Sequence, residues 1–169
     1  MIFKYLTKSF YINLSIIFLI FFLDRVSKLY VIYLDKKNLN SKLFSSEFLN
    51  IDLIWNEGIA FGLFSFNQNN FYNALTFIIA IIIILILVMT FYNIGLKKYS
   101  LLIIFSGALG NLFDRIFYKA VPDFIDLHIN NFHWFIFNVS DIFITFGVML
   151  MIVLEITSKD DQNKNYEKM

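Results

Sequence analysis

The sequence has no cysteine, a single proline, six glycines and two histidines in 169 residues. Without cysteine there is no disulfide, no thiolate nucleophile and no Cys-ligated metal, and nothing marks the redox compartment. His128 and His133 lack the H-E-x-x-H spacing of a zinc protease and read as strand or interfacial residues, so no metal and no cofactor is expected. There is no G-x-S-x-G element and no glycine-rich phosphate loop, and Ser27 and Lys28 point to different faces of a helix, against a Ser-Lys pair. Charge is scarce as well. Only 16% of residues are charged and the net charge is +1, which gives no basic field for nucleic acid.

What the chain has is apolar surface: 59% of residues are hydrophobic and 20% aromatic, which points to a polytopic membrane protein. Lys4 and Lys8 precede an apolar run from Phe10 to Leu23 that resembles a signal peptide. A cleavable signal would end in small residues, whereas here Asp24 and Arg25 follow and the apolar pattern resumes from Val26 to Leu34. Residues 10–34 therefore read as a retained transmembrane helix, at about 1.5 Å per residue enough for a hydrocarbon core of about 30 Å. Asp24 and Lys28 share one face of it at i, i+4. They are either an intrahelical ion pair that makes the charges tolerable or support for a nearby site.

Residues 35–47 read as a polar loop, and the alternation of Leu49, Ile51 and Leu53 with Asn50 and Asp52 fits a half-exposed strand over 48–53. It leads into Trp55-Asn56-Glu57-Gly58-Ile59-Ala60-Phe61-Gly62, either a close backbone approach to something bound or a plain turn. Residues 73–91 carry no charge and form a second membrane helix, a scaffold. A connection over 92–98 holds Lys97 and Lys98. The third helix, 99–118, carries Gly107, Asn111, Asp114 and Tyr118 on one stripe with Arg115 adjoining, which should face the bundle interior. Residues 124–129 and 132–137 read as strands around an Asn130-Asn131 turn, pairing with the strand near Ile51 in a small sheet. The fourth helix is expected over 141–157 and a disordered charged tail over 158–169. The expected architecture is thus one domain, 1–158: a four-helix transmembrane bundle with a β-sheet at the outer surface from 48–56 and 124–137, and a cytoplasmic tail at 159–169.

With four spans both termini share one side. That side holds seven lysines (Lys4, Lys8, Lys97, Lys98, Lys159, Lys164, Lys168) against four on the other (Lys36, Lys37, Lys42, Lys119), so the termini are expected inside. Asn56, Asp114, Arg115, Asp123, Asn138 and Asp141 then meet at the outer surface. Two carboxylates close together in a poorly solvated place cannot both ionise cheaply, so Asp123 and Asp141 fit a general acid and a general base acting on water. Asn111, Arg115 and Asn138 supply donors for a scissile carbonyl or a head group. The plainer reading makes Asp123 a loop acid and Asp141 a helix N-cap. Rival readings are a proton-coupled transporter with Asp24, Asp114 and Asp141 as a relay, and an assembly subunit associating through Gly107 and Gly110.

Asp24 with Lys28, the turn from Asn56 to Gly62, Gly110-Asn111-Leu112-Phe113-Asp114-Arg115, Val121-Pro122-Asp123-Phe124 and Phe137-Asn138-Val139-Ser140-Asp141 occur in order from 24 to 141. Together they resemble the bacterial lipoprotein signal peptidases, signal peptidase II. The resemblance implies an aspartic endopeptidase of the bacterial inner membrane that cleaves diacylglyceryl-modified prolipoproteins before the lipidated cysteine. It places the catalytic pair on Asp123 and Asp141 and a substrate pocket on Asn56, Gly58, Asn111, Asp114, Arg115 and Asn138, with Asp24 and Lys28 as support. Prolipoproteins and membrane lipids are the expected partners, and a monomer the expected state. Two positions depart from the usual family pattern. Pro122 stands where an aliphatic residue is usual and Ser140 where alanine is.

Overall fold

Backbone polar groups in hydrocarbon must be satisfied within their own segment, and the long apolar runs of this chain fold accordingly as helices. The computed structural model describes residues 8–37, 43–58, 69–130 and 132–166. Among these residues the helices are α1 (Lys8–Lys37), α2 (Asn69–Tyr92), α3 (Gly95–Tyr118) and α4 (Val139–Tyr166). The strands β1 (Phe44–Ser45), β2 (Leu49–Asn56), β3 (Val121–Ile129) and β4 (Phe132–Phe137) make one antiparallel sheet in the order β1-β2-β3-β4.

Among the described residues three segments are long and apolar enough to cross a membrane: Tyr72–Tyr92, Gly95–Tyr118 and Val139–Ser158. Their outer faces leave Phe77, Ile81, Ile84, Phe146, Met149 and Ile156 exposed, an apolar surface of a kind that water-soluble monomers do not carry. The 30 residues of α1 also span about 45 Å at ~1.5 Å per residue, but Asp24, Arg25 and Lys28 interrupt its apolar run. Within the bundle α3 is central, packing against α1, α2 and α4. Small residues make its seam with α4. A Cβ on Gly107 would lie 2.7 Å from the Ser140 carbonyl oxygen, and one on Gly147 would lie 2.9 Å from that of Ser100. Gly107, one of the two glycines of the assembly-subunit reading, thus serves the packing of α3 on α4 within this chain.

α3 stops at Lys119, whose φ of 59° puts it in the left-handed region and turns the chain directly into β3. Asp123 therefore belongs to a strand, not to a loop. β3 pairs with β2 through Ile54↔Asp123 and Ile51↔Ile125, and Asn130, at φ 53°, turns it into β4. Pairing with β4 starts only at Ile125, so the N–H that Pro122 lacks leaves no β4 group short.

Several expectations need correction. Lys97 and Lys98 lie in the first turn of α3, because the helix starts at Gly95 with no loop before it beyond Asn93 and Ile94. α4 continues to Tyr166, so the segment after Ser158 is helical as far as that residue. The polar stretch before β2 contains the end of α1 and the short strand β1. In β2 the buried residue is polar: Asn50 is 4% exposed and donates to Asp126 Oδ2 at 3.1 Å, while Leu49 and Ile51 are only half-buried. A hydrogen-bonded amide can occupy an inward position that the apolar alternation assigns to leucine. Residues 59–62 of the glycine-containing turn lie outside the described residues.

Candidate active site

The arrangement starts from a helix cap. Asn138 precedes α4, and its Oδ1 accepts from the N–H of Asp141 at 3.2 Å, while the N–H of Asn138 donates back to Asp141 Oδ2 at 3.1 Å. This is a reciprocal capping box with aspartate in the third helical position. Asp141 is therefore not the cap; Asn138 is. The box fixes the Asp141 side chain, and Asn111 Nδ2, reaching across from α3, donates to its other oxygen at 2.8 Å. Asn138 also turns its amide Nδ2 to Asp123 Oδ1 at 2.6 Å, and Asn56 Nδ2 at the end of β2 donates to Asp123 Oδ2 at 2.8 Å. One residue thus bonds both acids.

Asp123 and Asp141 border a common cavity of about 230 Å³, walled by Asn56, Asn111, Arg115 and Asn138 and by apolar residues that include Val121, Phe137 and Ile144. Burial pushes the Asp123 carboxyl up, and the neighbouring Asp141 charge adds to this. The donors Asn56 and Asn138 pull the other way, and the balance stands at about 6. Arg115 is buried, with Nη2 donating to the Gly58 carbonyl and Nη1 without a partner among the described residues. Gly58 in turn donates its N–H to Asn56 Oδ1 at 2.9 Å, which orients the Asn56 amide toward Asp123. The Tyr72 hydroxyl donates to the Arg115 carbonyl at 3.4 Å.

Asn111 links the cavity to a buried ionic cluster. Lys28 Nζ meets Asp24 Oδ1 at 2.9 Å, Asp114 Oδ2 at 2.7 Å and Asn111 Oδ1 at 2.7 Å. Arg25 grips Asp114 through both oxygens at 2.6 and 2.7 Å and donates to Asp24 Oδ2 at 2.7 Å. Asp24 and Asp114 are fully buried, which two carboxylates tolerate only with matched cations. Asp24 Oδ1 also accepts from the Ser140 N–H at 3.1 Å, tying α1 to the start of α4.

Most residues singled out from sequence meet here, but the polar stripe on α3 divides. Asn111 and Arg115 face the cavity, Asp114 faces α1, and Tyr118 is exposed with its ring 5.6 Å from that of Trp55. Asp24 and Lys28 form more than an ion pair within one helix, since both reach α3 or α4. In the sequence Arg25 stands only as a break in an apolar run; its place next to Asp24 is the signal that marks it. Nothing in the pattern of residues 135–145 marks Phe135, Ile136 or Thr145 as cavity walls.

Residues 16–157 match the family described as Signal peptidase (SPase) II. The lipoprotein signal peptidase of Pelagibacter ubique (strain HTCC1062) is 48% identical over 160 residues, 94% of this chain and 96% of that protein. That of Anaplasma phagocytophilum (strain HZ) is 38% identical over 90% of this chain and 96% of its own length. A bacterial membrane enzyme solved by the in meso method at 2.3 Å resolution superposes with a TM-score of 0.69 at 28% identity, covering 88% of this chain and 90% of that one. Fold and likeness together define an integral membrane enzyme, a protease. The chain belongs to the signal peptidase II family, the lipoprotein signal peptidases, which cleave signal peptides from prolipoproteins.

Proposed function

We propose that this chain is an aspartic endopeptidase that cleaves diacylglyceryl-modified prolipoproteins before the lipidated cysteine, with Asp123 and Asp141 as its catalytic pair. The observation that carries this reading is Asn138, which bonds both carboxyl groups at the wall of one cavity. Asp141, held in place by Asn111 and the Asn138 N–H and with a charge that helps to raise the Asp123 carboxyl, takes a proton from water as the water oxygen attacks the scissile carbonyl. Asp123, whose carboxyl is raised to about 6, gives its proton to the carbonyl oxygen. Collapse of the tetrahedral intermediate breaks the C–N bond. The departing cysteine amine takes the proton held by Asp141, and the intermediate's hydroxyl returns one to Asp123.

Asn56, Gly58, Asn111, Arg115 and Asn138 bind the substrate backbone or keep the acids oriented, and Arg115 Nη1, which has no partner among the described residues, is a donor to a substrate carbonyl. Asp114, with Asp24 and Lys28, supports the cavity from below. In the arrangement we favour, α1 is a fourth span and residues 1–158 form one domain. The sheet lies at the outer face of the bacterial inner membrane, both termini are cytoplasmic, and the enzyme works as a monomer among lipids. Asp123→Asn and Asp141→Asn, each purified in folded form, should leave a lipidated precursor peptide uncut. Undiminished cleavage by either rejects the pair.

A further inference from the structure

The chain's only two histidines stand opposite each other on the β3–β4 hairpin, as the directly paired residues His128↔His133. Their rings stack with centroids 5.0 Å apart and planes inclined by 19°. Two residues before His128, and so on the same face of β3, stands Asp126, with both carboxylate oxygens 2.9 Å from His133 Nδ1. One donor atom from each of the three lies within 4.8 Å of the other two. None of the three borders the cavity that holds Asp123 and Asp141.

An ordinary ion pair between Asp126 and His133 accounts for only part of this. It gives no role to His128, whose Nδ1 is buried without a hydrogen-bond partner among the described residues. Nor does it account for the second row of support. Asn50 Nδ2 donates to Asp126 Oδ2 at 3.1 Å, and Ser45 Oγ donates to Asn50 Oδ1 at 2.7 Å. Carboxylates that bind metals are held in this way by partners of their own. The His133 side chain is 52% exposed, which leaves a way in for an ion.

We infer that Asp126, His128 and His133 form a binding site for a divalent first-row transition ion, Zn²⁺ foremost. Two imidazole nitrogens and one carboxylate oxygen are donors for Zn²⁺ and its neighbours, whereas Mg²⁺ and Ca²⁺ prefer oxygen alone. Tetrahedral bonds of about 2.0–2.1 Å need donors about 3.3–3.4 Å apart, between the 2.9 Å and the 4.8 Å of this cluster, so small side-chain rotations suffice. Three protein ligands leave a fourth position for water or another ligand. The ion would clamp β3 to β4 near the hairpin turn. Asp123 lies on the same β3, and β4 runs straight into Asn138, so the clamp acts on the frame of the acid pair and takes no part in its chemistry. The inference does not rest on the peptidase reading.

The test uses the full chain in detergent, free of any histidine tag and stripped with chelator, titrated with ZnCl₂ by calorimetry and followed by thermal unfolding. We expect one Zn²⁺ per chain and a higher Tm with the ion bound. His128→Gln/His133→Gln should lose the binding. Asn50→Ala, which keeps all three ligands, should weaken it by about 10–100-fold. Cobalt(II) in place of zinc should give visible absorption bands in the wild type that the double variant lacks, so a loss through misfolding is told apart by the variant's retained helical circular dichroism. Absence of saturable Zn²⁺ binding in the wild type, or equal binding by the folded double variant, overturns the site.

Discussion

Lys28 Nζ donates to Asn111 Oδ1 at 2.7 Å, and this bond decides which way the Asn111 amide faces. With its oxygen held by the ammonium, the amide can offer only Nδ2 to Asp141, at 2.8 Å. A cation on α1 thereby orients the Asp141 carboxyl on α4, one of the proposed pair, without touching it. Lys28→Met should lower kcat by about 100-fold, since small misplacements of a catalytic group have that effect. It should also destabilise the protein by about 3–5 kcal/mol by leaving Asp24 and Asp114 with Arg25 alone. Thermal unfolding and cleavage of a lipidated peptide measure the two effects. Wild-type kcat in a folded Lys28→Met chain would count against the positioning role.

Activity should depend on pH through Asp123. Its folded carboxyl holds a proton more tightly than an unfolded one, so this group favours folding in acid, and the contribution is lost as the pH rises through about 6. The same proton is the one given to the carbonyl oxygen, so kcat/KM should fall as the pH rises past about 6, with a midpoint that belongs to the pair. Asn56→Ala removes a donor that favours the charged form, so its midpoint should move to higher pH. A midpoint that stays put or moves down contradicts the assignment of Asp123 as the acid.

Asn138 has a capping role and a site role that substitutions can separate. Asn138→Ala should lose about 0.5–2 kcal/mol with the cap, and most of the activity as well. Asn138→Ser keeps an oxygen for the Asp141 N–H but has no amide to give Asp123. It should recover stability and remain slow. Full recovery of kcat by serine would show that the bond to Asp123 is dispensable.

Gly110 and Ser140 should be coupled. A Cβ on Gly110 would meet Ser140 Oγ and lie 2.7 Å from Asp24 Oδ2, so Gly110→Ala should cost about 1–3 kcal/mol through overpacking. Ser140 Oγ is buried without a partner among the described residues, so Ser140→Ala alone should raise stability by about 1 kcal/mol. In the double variant the alanine at 140 removes one of the two clashes, and a double-mutant cycle should report a favourable coupling of about 0.5–3 kcal/mol. Strict additivity would mean that the two do not meet.

The long helices were legible because length and absence of charge leave an apolar run few other folds, and the acid pair because carboxylates stand out in such a chain. Less legible was everything decided by a partner distant in sequence. Asn50 looks like the solvent face of its strand until Asp126 is beside it. Asp114 shares a stripe with Asn111, yet Arg25 draws it the other way. Asn138 could be picked as a donor from its type, but its double bond to the acids depends on how β4 delivers the chain to α4. His128 and His133 stand two and seven residues beyond Asp126, and only the hairpin register brings the three together.

The ionic cluster of α1 and α3 bears on how the chain enters the bilayer. α1 alone carries Arg25 and Lys28 against Asp24, and the second anion, Asp114, is synthesised only after α2 and most of α3. Charged residues near the middle of a lone segment raise its insertion free energy by about 2.5–3.5 kcal/mol each, so in the four-span arrangement proposed above α1 settles in lipid less readily by itself than the uncharged α2. On that proposed arrangement, lasting retention of α1 depends on α3, whose Asp114 supplies the second anion that Arg25 and Lys28 require.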